Sequence, residues 1–89
     1  MSDASRPLRL AIGRRLQWEE AQQKHVLLYP EGMVELNPSA ATILELCDGR
    51  DEHAIVDELS RRFPEADLGD DVRSFLSYAL DQNWIRHAD

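Results

Sequence analysis

The sequence has 89 residues, 43% of them hydrophobic, which is enough for one compact domain and too little for a second core. Ten Lys and Arg stand against 17 Asp and Glu, and residues 26–89 alone carry five basic groups against fourteen acidic ones. Phosphate binding rests on clustered Lys and Arg, so this balance argues against nucleic acid and for a protein or peptide partner.

Residues 1–7 are polar, contain Pro7 and show no periodicity; they read as a mobile arm ahead of a single domain over residues 8–89. In residues 14–18, Leu16 and Trp18 alternate with polar side chains and share one side of an extended segment. A polar connection follows, then a β-favouring run over residues 24–29. Pro30, Glu31 and Gly32 supply a turn, since proline pre-sets φ early and glycine accepts the geometry that closes it. Met33 to Leu36 continue as a third strand, with Val34 and Leu36 on one face and Met33 and Glu35 on the other. The expected product is a three-stranded antiparallel meander.

After Leu36 the apolar period changes from two to 3.6. Asn37 followed by Pro38 is a strong helix start, an asparagine cap with proline at the first helical position. Ala40, Ile43, Leu44 and Cys47 form one apolar stripe, and Asp48-Gly49 is expected to stop the helix. A second helix opens near Asp51, buries Ile55, Val56, Leu59 and Phe63, carries Arg61 and Arg62 in its last turn and ends at Pro64. The third runs from about Gly69 to about Asn83, with Val72, Phe75, Leu76, Ala79 and Leu80 on its core stripe. Tyr78 widens that stripe, which suits either a broad core contact or a helix lining a groove.

No chemistry emerges from the remaining residues. His25, His53 and His87 have no metal-ligand spacing. Cys47, the single cysteine, excludes an internal disulfide and reads as a buried thiol. Asp70 and Asp71 are what a helix start attracts, and Gly32 and Gly49 belong to no phosphate loop. No metal, cofactor or catalytic residue is expected. Neither a membrane span nor a signal peptide is visible, so a cytoplasmic location is expected.

Three strands followed by three helices make a winged-helix-like α+β fold, and its central stretch is specific. Tyr29-Pro-Glu-Gly-Met-Val-Glu-Leu-Asn-Pro-Ser-Ala-Ala-Thr-Ile-Leu-Glu-Leu-Cys-Asp-Gly49, with Ile55, Val56, Leu59, Phe63 and Pro64 after it, closely resembles the protein D family of pyrroloquinoline quinone (PQQ) biosynthesis, a group of precursor-peptide (RiPP) recognition domains. The region of Arg14, Arg15, Leu16 and Trp18 fits too, so the likeness spans residues 8–86. It implies a non-enzymatic adaptor that binds a short precursor peptide and presents it to a radical S-adenosylmethionine (SAM) enzyme. It also implies that the peptide lies as an added strand along Met33, Val34, Glu35 and Leu36, in a cleft beside Val72, Phe75, Leu76 and Ala79. A free strand edge gives that placement a physical basis. The same edge could pair two copies into a homodimer. The alternatives are a plain dimerisation module and a winged-helix DNA-binding protein; against the latter, the third helix sets Asp70, Asp71 and Asp81 against Arg73.

Overall fold

The computed structural model describes residues 3–88. Its main sheet is the expected meander: β2 (Arg15–Glu19), β3 (Lys24–Tyr29) and β4 (Gly32–Leu36) pair antiparallel in the order β2-β3-β4. The register joins Tyr29 to Gly32 across the two-residue turn and runs on to His25 opposite Leu36. Val26 and Leu27 on the central strand are fully buried. The helices α1 (Pro38–Glu45), α2 (Glu52–Arg62) and α3 (Gly69–Asp81) follow in order.

Local chemistry sets each helix boundary. The Asn37 side chain accepts a hydrogen bond from the Ala40 N–H at 2.8 Å, with Pro38 in the first turn, and Asp51 caps α2 through Ala54 N–H at 2.9 Å. Helix α2 ends where Pro64 pushes Phe63 out of helical geometry, to φ −131° and ψ 68°. Helix α3 ends in a left-handed turn at Asn83 (φ 60°): Trp84 N–H donates to Ala79 C=O at 2.9 Å and Asn83 N–H to Leu80 C=O at 3.1 Å. This reversal turns the Trp84 ring back onto Tyr78.

A second, two-stranded sheet lies outside the expected meander. β1 (Leu8–Leu10) pairs antiparallel with β5 (Ile85–His87), Leu8 opposite His87 and Leu10 opposite Ile85. Each strand has three residues, too few for a period to show, and the pairing joins opposite ends of the chain. The arm expected over residues 1–7 has its first two residues outside those described; Asp3–Ser5 form a short 3-10 turn beside α2, and the Pro7 carbonyl accepts from Ala88 N–H at 2.9 Å.

Gly49 also differs from expectation. Helix α1 tightens to its end at Leu46 and Cys47, while Gly49 lies further on at φ 114°. There its N–H donates to the Leu8 carbonyl at 2.9 Å, and a Cβ would sit 2.8 Å from the Arg9 guanidinium. Glycine is needed for the positive φ with which the chain passes β1, not for the helix stop. One core joins both sheets to the helices through Leu8, Leu27, Leu36, Leu44, Ile55, Leu59, Leu76 and Ile85. Cys47 belongs to it, and burial, with a smaller push from Asp48, raises its thiol pKa to about 12. No helix among the described residues is long and apolar enough to cross a membrane.

Candidate functional site

Two edges of the main sheet are unpaired among the described residues, those of β2 and β4. A two-residue hairpin turn closes on a hydrogen-bonded pair, here Tyr29 and Gly32, and such pairs alternate along an antiparallel ladder. Gly32, Val34 and Leu36 therefore spend their backbone groups on β3. The N–H and C=O groups of Met33 and Glu35 point to the open edge. Their side chains lie on the exposed face, where Glu35 pairs with Lys24 at 2.6 Å.

Two hollows mark the ends of β4. The larger, about 480 Å³, lies past Leu36 and is walled by Asn37, Ala40 and Ile43 of the α1 region, Leu59 and Phe63 of α2, and Leu68, Val72 and Phe75 of the α3 region. Asp71 contributes the one carboxylate on its wall. The smaller, about 180 Å³, lies at the hairpin turn and is lined by Arg14, Tyr29, Glu31, Gln82 and Trp84. The start of α3 thus walls the hollow that follows β4, and the residues just past the end of α3 border the hollow at the turn that precedes β4. Aromatic rings bridge the hollows: Phe75 lies 6.4 Å from Trp84 between centroids, and Tyr78 meets Trp84 edge-on at 5.4 Å.

The eight residues that the family resemblance singled out divide into three groups. Met33 and Glu35 are exposed at the β4 edge, Met33 by 51%. Val34 and Phe75 are half-buried, and Phe75 alone of the pair lines the larger hollow. Leu36, Val72, Leu76 and Ala79 are core residues, Ala79 with no exposure at all, although Val72 shows an edge to the hollow. Phe63 reverses its expected role: it is 51% exposed and forms a wall of the larger hollow instead of filling the core. Proline at position 64 was the one sequence signal for this exit. Nothing in the sequence pointed to Ile43, Leu68, Arg14 or Trp84 as lining residues, because hollows between elements have no period.

Among the described residues, ionic contacts lie outside the two hollows. Glu58 on α2 accepts hydrogen bonds from Arg61 and, at 2.8 Å, from Arg62, and these two bonds hold its carboxyl below the ordinary value. Arg73 on α3 is paired with Asp70 at 2.7 Å. His25 packs edge-on against Trp18 and reaches Glu45 at 3.3 Å. No group of three or more His, Cys, Asp or Glu side chains among the described residues could hold a metal ion.

Known proteins share this sequence and fold. Residues 24–85 match the family described as coenzyme PQQ synthesis protein D. A "PqqA binding protein" of Pseudomonas fluorescens is 51% identical over 88 residues, covering 97% of both chains. Proteins of the same name from Klebsiella pneumoniae and Methylococcus capsulatus are 60% and 56% identical, over 82% and 81% of this chain and 82% and 78% of theirs. The solution structure of the PqqD part of Methylobacterium extorquens PqqCD, described as a functional, stand-alone RiPP recognition element, superposes with a TM-score of 0.76 at 28% identity, over 98% of this chain and 95% of that one.

Proposed function

The chain belongs to the coenzyme PQQ synthesis protein D family, and from that premise we propose that it binds the PqqA precursor peptide as a fourth strand on β4 and presents it to the radical SAM enzyme of the pathway. The observation that carries this reading is the open β4 edge, with the Met33 and Glu35 backbone groups unspent, beside an apolar hollow. Strand addition supplies backbone hydrogen bonds that demand little of the peptide's sequence, and the hollow selects an apolar side chain. Of the residues implied by the resemblance, Met33 and Glu35 serve through their backbones and Phe75 through its ring. Leu36, Val72, Leu76 and Ala79 support the groove from the core.

The role is carriage without catalysis, in the cytoplasm. The relatives' shared name as binding proteins supports it, as does a buried Cys47 whose raised pKa leaves almost no thiolate near neutrality. Titration of isotope-labelled protein with PqqA peptide, followed by amide exchange, tests the placement. The Met33 and Glu35 N–H groups should gain protection, while those of Val34 and Leu36 are already protected. Protection appearing instead at Leu16 and Trp18, on the β2 edge, would overturn the assignment, and so would the absence of binding.

A further inference from the structure

The smaller hollow at the Gly32 end of β4 is lined by donors. Arg14, Tyr29, Gln82 and Trp84, each of which carries a donor group, border it, and Glu31 on the exposed turn brings the one carboxylate among its lining residues. Arg14 uses one terminal nitrogen on the Ile12 carbonyl at 3.0 Å. Its Nε–H is shielded from solvent and has no hydrogen-bond partner among the described residues. A buried guanidinium N–H without a protein acceptor is a costly arrangement, and a guanidinium presents its remaining donors in a fork that matches a carboxylate. The charge setting agrees, since residues 1–25 hold five basic groups against three acidic ones in an otherwise acidic chain. The neighbouring rings of Trp84 and Phe75 join this hollow to the apolar one.

Resting on the peptide-binding reading above, we propose that this hollow is a carboxylate site, in which Arg14 donates to one Asp or Glu side chain of the bound precursor peptide. β4 is five residues long, and a strand added beside it rises roughly 3.4 Å per residue. The acidic residue therefore lies about four or five positions along the peptide from the side chain that fills the apolar hollow. The site makes recognition two-pointed, an apolar anchor at one end and a charge at the other, with backbone pairing between.

Affinities of wild-type protein and Arg14→Gln for PqqA peptide and for peptides with each Asp or Glu singly replaced by its amide test the proposal. One amide replacement should weaken wild-type binding about tenfold, and Arg14→Gln should be insensitive to that same replacement while itself binding the parent peptide about tenfold more weakly. Equal affinity of Arg14→Gln and wild type, or a loss in Arg14→Gln that leaves the same carboxylate still required, overturns the carboxylate site and leaves peptide binding standing. Failure of wild type to bind the parent peptide overturns peptide binding itself. Should Arg14→Gln not fold, wild-type protein titrated with sodium propionate or propionamide decides: the Arg14 Nε–H and Trp84 Nε1–H resonances should move with the carboxylate alone. An equal response to both refutes the site.

Discussion

Phe63→Ala separates a groove wall from a core residue, because the two roles predict different energies. A phenylalanine side chain buries about 150–250 Å² when fully packed, and Phe63 keeps 51% of its surface exposed. About 100 Å² is then removed from water on folding, about 2.5 kcal/mol at about 25 cal/mol/Å². Alanine keeps the Cβ contribution and the denatured chain is partly collapsed, so the expected loss is about 1–2 kcal/mol. A core phenylalanine would cost about 3–5 kcal/mol. For an 89-residue domain the total stability is on the order of 4–13 kcal/mol, so the variant should stay folded. Urea unfolding should show a midpoint lowered by about 0.5–1 M with an unchanged slope. On the folded variant, PqqA peptide should bind about tenfold more weakly, since an aromatic wall of the apolar hollow is gone. A stability loss above about 3 kcal/mol would return Phe63 to the core. Unchanged peptide affinity would refute its place in the groove.

Cys47→Ser should lose about 1–2 kcal/mol by placing a hydroxyl among apolar neighbours. The loss stays at the low end because the hydroxyl can still donate to the Ile43 carbonyl, which lies 3.5 Å from Sγ. Chemical denaturation measures it, and full stability with lost peptide binding would show a reactive thiol instead of a packing one. Glu58→Gln removes a carboxyl whose folded pKa lies below its ordinary value of 4.5 because Arg61 and Arg62 hydrogen-bond it. A lowered folded pKa contributes stability above the ordinary value that is lost as pH falls through the folded one. The urea midpoints of wild type and variant should therefore differ near neutrality and converge as pH drops below 4.5; a constant difference would refute the pairing. Peptide affinity should be the same for both proteins, since Glu58 lines neither hollow.

The elements with long or capped signals were legible in the sequence. Asn37 with Pro38, Asp51, and the stripe of Ala40, Ile43, Leu44 and Cys47 each carry local chemistry that fixes a boundary or a buried face. The hairpin was equally plain, because Pro30 and Glu31 separate two alternating runs. β1 and β5 were not, since three residues cannot display a period and their pairing is non-local. The groove was half legible. A helical stripe reveals which residues face inward, yet Val72, Phe75, Leu76 and Ala79 share a stripe while only Phe75 and the edge of Val72 reach the hollow. That distinction depends on how far the loop over residues 63–68 stands off from α3, which Pro64 starts and no periodicity describes. Arg14 entered the family resemblance, but nothing in its sequence neighbourhood shows that it borders a hollow where the hairpin turn meets the end of α3.

The β1–β5 pair gives the domain a direction of weakness under mechanical load. Leu8 lies opposite His87, and the Ala88 N–H reaches Pro7, so residues 7 and 88 leave the same end of the ribbon side by side. Tension applied between them opens the ladder like a zipper, one hydrogen bond at a time, instead of shearing all of its bonds together. Leu8 and Ile85 are each 2% exposed, and they are drawn out of the core within the first few residues of travel. Peeling β1 away also breaks its bonds to the segment after α1, Leu8 N–H to the Arg50 carbonyl and Gly49 N–H to the Leu8 carbonyl, so the load passes next to that segment. The β4 edge, on the other sheet, bears none of that initial force.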